Sequence, residues 1–167
     1  KIFTRVGASD NISVGESTFM VEMTEASNIL NNVTPRSLVL FDELGGGTDP
    51  VEGAALAVAI IESVREAGAC CVATTHYAEL KAYALDTPGV CNASCEFDVE
   101  TLKPTYKLVI GAPGKSNAFA ISEKLGLSPA IIERAKERVS SDNLSFESVI
   151  EQLENSRVQM EKEREEA

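Results

Sequence analysis

Histidine, tryptophan and paired cysteines are what this 167-residue sequence has least of. It holds one histidine, no tryptophan and four cysteines, and aromatic residues make up 5%. The cysteines do not form the C-x-x-C pairs of zinc sites, and one imidazole adds too few nitrogen ligands, so no structural metal site is expected. Cys70 and Cys71 lie inside an apolar run, which predicts small core residues in a reducing compartment.

Basic residues and long apolar runs are also scarce. Lysine and arginine total 15 against 26 acidic residues, a formal charge of −11. Gripping a phosphate backbone needs clustered basic side chains, so contact with nucleic acid is expected from another segment. Apolar runs such as residues 54–61 fall short of the roughly 20 residues that span a bilayer, and no charged-then-apolar leader opens the sequence. We therefore expect a cytoplasmic protein with no membrane partner.

The first half of the sequence alternates between helical and strand patterns. Apolar residues recur at helical spacing over residues 17–31, and residues 39–41 form a short apolar run typical of a buried parallel strand. An alanine-rich helix is predicted over residues 50–66, with Asp49 as N-cap and Pro50 at its first position, and a second strand over residues 70–73. Strand, helix and strand with short connections predict an α/β fold whose sheet is mostly parallel and flanked by helices.

The second half predicts a change of architecture. Two β-prone runs within residues 90–110, around Lys103 and Pro104, predict an antiparallel pair at the edge of the sheet. Helices are predicted over residues 117–125 and 129–139 and from Phe146 onward. The last helix loses its apolar stripe and becomes densely charged, which indicates either the start of an exposed helix or coiled coil, or a solvated terminus.

Two adjacent carboxylates, Asp42 and Glu43, follow the first predicted strand. In nucleotide hydrolases this Walker B arrangement holds Mg²⁺ through the aspartate, while the glutamate polarises the attacking water. Asp42 is therefore a candidate Mg²⁺ residue and Glu43 a candidate general base. The alternative is an ordinary polar strand exit.

Three neighbouring features each have a functional and a structural interpretation. Glycines 45–47 allow close approach to a phosphate or another chain, or form a flexible turn. His76 follows the next strand, at the sheet edge where α/β proteins bind ligands, although a purely structural histidine also fits. Ser17 and Thr18 open a helix and either bind an anion or cap the helix.

The segment GAPGKS, residues 111–116, is close to a P-loop but does not match it. The motif G-x-x-x-x-G-K-[ST] requires glycine at position 109, where this sequence has Val109. A phosphate loop also normally precedes the Asp-Glu strand. We therefore predict a glycine-rich turn into the following helix.

Three segments together resemble the ATPase domain of the MutS family: residues 15–25, residues 38–48 and residues 73–77. The resemblance covers residues 1 to about 140. Mismatch-repair members usually have a basic residue where this chain has Gly46. Gly46, residues 48–56 and residues 111–118 instead resemble the MutS-two branch, bacterial proteins with a carboxyl-terminal Smr nuclease domain.

This resemblance implies a role for each candidate residue and two cofactors, ATP and Mg²⁺. It assigns Asp42 to Mg²⁺ through water, Glu43 to water activation and His76 to sensing the γ-phosphate. Further residues are implied to face the opposite subunit of a homodimer, in which each ATP site is shared. Two of them reach the partner's nucleotide and two lie in a loop that faces the partner: Ser17 and Thr18, and Thr48 and Asp49.

The resemblance also implies how the chain is divided. Residues 1–140 are expected to be the carboxyl-terminal half of a P-loop NTPase domain of the ABC type, without its Walker A loop, and residues 141–167 the start of a helical linker. The DNA clamp and the nuclease are expected elsewhere in the full-length protein. The isolated chain is therefore expected not to hydrolyse ATP.

Several functions stay open at this point. The family implies an ATPase that acts on branched DNA and suppresses homologous recombination, or that acts on stalled and collided ribosomes; mismatch repair is a third possibility. A different ATPase of the chromosome-maintenance kind is an alternative enzyme. The alternative without catalysis is an acidic helical module that binds a partner.

Overall fold

The computed structural model describes residues 1–7 and 18–139, together with residues 148, 149 and 152. The chain divides into two compact units, Lys1–Tyr83 and Ala84–Ala167. The first unit spans every residue with a predicted catalytic or binding role. It is therefore the unit that positions the candidate site.

The first unit is built on a three-stranded parallel sheet. Its elements along the chain are β1 (Ile2–Arg5), α1 (Thr18–Leu30), β2 (Leu38–Phe41), α2 (Pro50–Glu66), β3 (Cys70–Ala73) and the start of α3 (Ala78–Asp86). The strand order is β1-β2-β3, and β2 pairs in parallel with both neighbours. The predicted α/β class and the parallel strand-helix-strand unit are confirmed.

One face of this sheet packs against α1 and α2. Val39 and Phe41 of β2 are buried on that face, in register with Phe3 and Arg5 of β1. The helices contribute small and aliphatic side chains to the same core: Ala26, Ile29, Ala54, Ala57, Ile60 and Val64. Arg5 is charged yet buried, and its Nε lies 2.7 Å from Glu25 Oε2 on α1. Pairing with a carboxylate offsets the cost of burying the guanidinium.

Apolar side chains on the opposite face of the sheet are exposed in the part of the chain that the structure describes. Ile2 is 71% exposed and Val72 is 57% exposed. Cys70 lies on this face and is exposed, so its prediction as a core residue is wrong. The reason is strand alternation, because neighbouring residues of β3 point to opposite faces. Cys71 lies on the helix side, packs against the core, and burial raises the pKa of its thiol to about 11.

The predicted elements of this unit are found close to their predicted bounds. α2 agrees at both ends, and the Asp49 carboxylate accepts hydrogen bonds from Val51 N at 3.0 Å and Glu52 N at 3.1 Å, as an N-cap does. β1 and α3 are additional to the prediction. β1 has only four residues, one of them charged, and α3 buries only Leu80. Neither leaves the apolar periodicity on which the prediction depends.

The second unit contains an antiparallel hairpin and two short helices. Its elements are β4 (Ala93–Asp98), β5 (Lys103–Ile110), α4 (Ala118–Lys124) and α5 (Pro129–Lys136). The antiparallel pair is confirmed, but its predicted place at the edge of the main sheet is wrong, because β4 and β5 form a sheet of their own. Pro104 lies inside β5 rather than at the break. A strand of a two-stranded sheet has an unpaired side that tolerates the missing N–H of proline.

The hairpin turn is organised by Asp98 at the end of β4. Its carboxylate accepts hydrogen bonds from Glu100 N, from Thr101 N and from Thr101 Oγ1, at 2.8, 3.3 and 2.7 Å. The Thr101 hydroxyl and these two amides lower the pKa of Asp98 from its usual value. The turn between the two strands therefore lies between Asp98 and Lys103, before Pro104.

The predicted helices of the second unit are found over part of their length. α4 and α5 begin within one residue of prediction, and α5 ends three residues early. The predicted helix from Phe146 onward lies outside the described residues, apart from residues 148, 149 and 152. Within the described ranges, no helix has both the length and the apolar character that crossing a bilayer requires.

Candidate functional site

The candidate site begins where β2 and β3 end. Hydrogen bonds of the parallel ladder continue one step beyond the strands, from Asp42 N to Arg5 O at 2.8 Å and from Thr74 N to Phe41 O at 2.9 Å. Asp42 and Thr74 are therefore held side by side by the backbone. This is the carboxyl edge of the sheet, where α/β proteins place ligands.

Thr74 joins the two carboxylate residues. Its Oγ1 donates a hydrogen bond to Asp42 Oδ1 at 2.6 Å and accepts one from Glu43 N at 2.9 Å. One hydroxyl thus fixes the orientation of the Asp42 carboxylate and the start of the loop that follows it. Sequence reasoning assigned no role to Thr74; the available signals were its position at the end of the neighbouring strand and its place within residues 73–77, which resemble the MutS family.

Glu43 has an unusual backbone conformation. Its φ is +52°, in the left-handed region that residues with a β-carbon seldom adopt, and the residue is exposed. Such conformations persist where surrounding contacts impose them, and they concentrate at functional sites. The contacts here are the bond from Glu43 N to Thr74 and the bond from Leu44 N to Thr74 O at 3.2 Å.

Gly45 is held on both sides of its backbone. Glu22 Oε1 on α1 accepts a hydrogen bond from Gly45 N at 2.7 Å, and the Tyr77 hydroxyl donates one to Gly45 O at 2.8 Å. Glu22 and Tyr77 are both buried, at 5% and 8% exposure. Burial raises the pKa of Glu22, and the Gly45 N–H and the Arg5 charge partly oppose this rise. Sequence reasoning did not assign Glu22 or Tyr77.

The residues predicted to face a partner subunit lie close to this loop, as far as they are described. A β-carbon on Gly47 would lie 3.7 Å from Thr18 Oγ1, so the start of α1 is next to the loop that carries Thr48 and Asp49. Thr48 is half-buried and Asp49 is exposed while capping α2. Ser17 lies outside the described residues.

His76 is three residues beyond β3 and is exposed. Its ring lies beside the Tyr77 ring, with centroids 4.7 Å apart and planes tilted by 39°. The same short segment therefore carries Thr74, which holds Asp42, and Tyr77, which holds Gly45. In the sequence, His76 lies between Thr74 and Tyr77, which both form hydrogen bonds with the Asp42–Gly45 loop.

The donor set at Asp42 fits a magnesium ion that arrives with a nucleotide. Across the described residues, no three histidine, cysteine or acidic side chains cluster as a metal site would require. Mg²⁺ keeps several waters and is commonly held by one or two carboxylates plus substrate phosphates, so one carboxylate is sufficient. Asp42 Oδ2 lies 3.4 Å from Gly7 N, a weak contact that leaves this oxygen available to the ion or its water.

The segment of residues 111–116 lies between β5 and α4 in the second unit. β5 belongs to the antiparallel hairpin, and Gly111 N donates to Asn92 O at 2.8 Å beside that hairpin. A P-loop follows a strand of a parallel sheet. The geometry supports the prediction of a glycine-rich turn.

Comparison with known proteins decides the family. A family model described as MutS domain V matches residues 1–142. The chain belongs to the MutS domain V family. The predicted resemblance to the MutS family is thereby confirmed.

Curated relatives also support the predicted MutS-two branch. Proteins named "Endonuclease MutS2" from Clostridioides difficile (strain 630) and Clostridium beijerinckii are both 56% identical to the chain, over 99% and 100% of its length. A protein of the same name from Alkaliphilus oremlandii is 58% identical over 97%. The chain spans about one fifth of the length of these relatives, 20% to 21%. It thus matches one part of these much longer proteins.

Proposed function

We propose that this chain supplies the hydrolytic side of a Mg-ATP site in a MutS2-type protein. The observation that carries the proposal is the bonded set of Asp42, Glu43 and Thr74 at the carboxyl edge of the parallel sheet. An ordinary strand exit needs no hydroxyl between the two carboxylate residues. Membership of the MutS domain V family supports ATP as the nucleotide.

In this proposal each side chain has a defined task. Mg²⁺, when bound with ATP, neutralises charge on the phosphate oxygens. Asp42 holds the ion through water by Oδ2, because Oδ1 is engaged by Thr74. Glu43 is exposed and takes a proton from the attacking water. His76 contacts the γ-phosphate and reports its presence.

The remaining parts of the site are assigned to other segments of the full-length protein. We assign the domain to the P-loop ABC-type ATPases, with residues 1–140 as its carboxyl-terminal half and residues 141–167 as the start of a helical linker. The amide cradle and the lysine of a Walker A loop would hold the β- and γ-phosphates. The site described here orients the metal and the water.

The proposed assembly is a homodimer with shared sites, in the bacterial cytoplasm. Ser17 and Thr18 would reach the nucleotide of the opposite subunit, and Thr48 and Asp49 would face that subunit across the dimer. The proximity of Gly47 to Thr18 supports this, because it places Thr18 next to the loop that carries Thr48 and Asp49. A site built by two chains hydrolyses ATP only when they are clamped together.

The proposed substrate of the whole protein is branched DNA, on which ATP turnover would switch a clamp and suppress recombination. The name endonuclease, carried by the relatives, agrees with a nucleic-acid substrate. Because this chain has a formal charge of −11, we assign DNA binding to other segments of the full-length protein. Hydrolysis stimulated by collided ribosomes and not by four-way DNA junctions would instead support the ribosome alternative.

The test is ATP hydrolysis by a full-length protein that carries this chain, with Glu43→Gln and Asp42→Asn. Glu43→Gln should keep ATP binding and slow hydrolysis by roughly two to four orders of magnitude, because the base is lost and the shape is kept. Asp42→Asn should raise the Mg²⁺ concentration needed for turnover. Glu66→Gln, at the far end of α2, is the matched control. Wild-type turnover by Glu43→Gln would contradict the proposal.

A further inference from the structure

Three segments of the first unit meet at the backbone of one residue, Gly45. The loop after β2 provides the glycine, α1 provides the Glu22 carboxylate, and the segment after β3 provides the Tyr77 hydroxyl. Gly45 N donates a hydrogen bond to Glu22 Oε1 at 2.7 Å, and the Tyr77 hydroxyl donates one to Gly45 O at 2.8 Å; all three residues are buried. We refer to Glu22, Gly45 and Tyr77 as the Gly45 clamp.

Close packing against α2 completes the clamp. A β-carbon on Gly45 would overlap the carbonyl oxygen of Gly53, and one on Gly53 would overlap the carbonyl oxygen of Gly45. The φ of Gly45 is +86°, which a residue with a side chain rarely adopts. The loop therefore packs against α2 in one position, and the two hydrogen bonds hold it in that position.

Each arm of the clamp carries a residue of the proposed ATP site. Glu22 is four residues after Thr18 on the same face of α1, and Tyr77 directly follows His76. Gly45 itself is two residues after Glu43 and three before Thr48. The proposed hydrolytic residues and the proposed partner-facing residues are thus linked to one another through the backbone of one residue, Gly45.

We propose that Glu22 and Tyr77 are positioning residues that set Glu43 and His76 for hydrolysis and tie them to the Thr18 surface that reaches the partner's nucleotide. This inference rests on the proposed ATPase function. It adds two residues and a physical link between the two kinds of site residue. Through that link, contact between subunits at Thr18 fixes the placement of Glu43.

The energetics favour positioning over simple stabilisation. Burial of a carboxylate is energetically unfavourable, and for the same reason it raises the pKa of Glu22. A well-packed apolar side chain at this position would make the folded state more stable. Glu43 also sits in the left-handed region and needs an anchor to stay there. The clamp provides that anchor two residues away.

The experiment measures kcat and KM for ATP in a full-length protein that carries this chain. Tyr77→Phe removes one oxygen and keeps the ring, and Glu22→Leu removes the acceptor. Both should lower kcat by roughly tenfold or more, because misplacement of about 1 Å can cost a hundredfold, while KM stays within about threefold. Glu22→Gln keeps an acceptor oxygen and should restore kcat to within about threefold of wild type. Restoration by glutamine separates a lost hydrogen bond from general damage.

Two controls make the outcome decisive. Tyr83→Phe removes another buried hydroxyl, one that has no hydrogen-bond partner among the described atoms, and should leave kcat unchanged. Glu43→Gln is measured in parallel. If Tyr77→Phe is folded and keeps wild-type kcat while Glu43→Gln is inactive, the clamp proposal is overturned and the proposed function stands. If Glu43→Gln is fully active, the proposed function fails and the clamp proposal fails with it.

Discussion

At the scale of single residues, Thr74 is the group on which the candidate site most directly depends. A threonine hydroxyl donates once and accepts through two lone pairs. Here the donor goes to Asp42 and one lone pair accepts from Glu43 N. The hydroxyl therefore couples the direction of the proposed Mg²⁺ ligand to the backbone of the proposed base.

Replacing Thr74 separates this hydrogen bonding from packing. Thr74→Val has the same shape without the hydroxyl, and it should lower kcat for ATP by roughly tenfold, since one positioned hydrogen bond is lost on each side. Thr74→Ser keeps the hydroxyl and should retain most activity. Steady-state kinetics on the full-length protein provide the measurement. Equal activity of the valine and serine variants would show that the bridge has no role.

Glu22 predicts a pH dependence of stability with a definite sign. Burial raises its pKa above the usual 4.5, so the folded state holds the proton more tightly than the unfolded state. Glu22 therefore makes its full contribution to stability below about pH 4.5, and this contribution falls as the pH rises through the folded-state pKa. The Glu22→Gln variant has no titrating group at this position. Its free energy of unfolding should therefore rise relative to that of wild type between about pH 4 and pH 7.

Urea denaturation of wild type and Glu22→Gln at the two pH values measures this gain. Glu66→Gln is the control, because Glu66 is an exposed carboxylate on the same unit. A stability difference that stays constant or shrinks with rising pH would show that the Glu22 carboxylate is not destabilised by burial.

Residue-level prediction from sequence works for groups marked by local context. Asp42 and Glu43 follow an apolar strand, and Asp49 precedes a proline and an alanine-rich helix, so both signals lie within a few positions. Glu22 and Tyr77 are 23 and 32 residues from Gly45, the group they hold. No pattern in a single sequence reports such a contact. These residues therefore emerge only from the fold.

At the scale of elements, α2 connects helix capping to the proposed dimer surface. Asp49 accepts hydrogen bonds from two amides in the first turn, so it has a structural task whether or not it faces a partner. Asp49→Ala should lower the free energy of unfolding by about 1 kcal/mol, whereas Asp49→Asn should keep most of it. Denaturation of the 167-residue chain measures the cap.

ATPase assays of Asp49→Ala and Asp49→Asn test whether Asp49 also acts toward the partner subunit. An asparagine variant that is stable but slow in hydrolysis would support a role of Asp49 toward the partner. If alanine leaves the stability unchanged, Asp49 is not acting as the cap.

The elements that were predicted correctly are those with a complete local signal. α2 has an N-cap, a first-turn proline and 17 helical residues, and β2 is buried on the central position of its sheet. The hairpin of β4 and β5 also has a local signal, but which sheet it joins depends on distant residues. That is why its antiparallel pairing was predictable and its placement was not.

At the scale of the whole molecule, we propose that two chains complete each ATP site. One chain would contribute Glu43 to its own nucleotide, and the other would contribute Ser17 and Thr18. The spacing from Thr18 through Glu22 to the Gly45 loop gives these contributions a physical connection inside each chain. A closed two-fold dimer would contain two such sites.

The most direct test is ATP hydrolysis by a mixed dimer of one Ser17→Ala chain and one Glu43→Gln chain, isolated through two different affinity tags. In a shared arrangement, one site carries both defects and the other carries neither. The mixed dimer should therefore hydrolyse ATP at about half the wild-type rate, while each homodimer is nearly inactive. A mixed dimer as inactive as both homodimers would mean that each site is built within a single chain, and would contradict the proposal of shared sites.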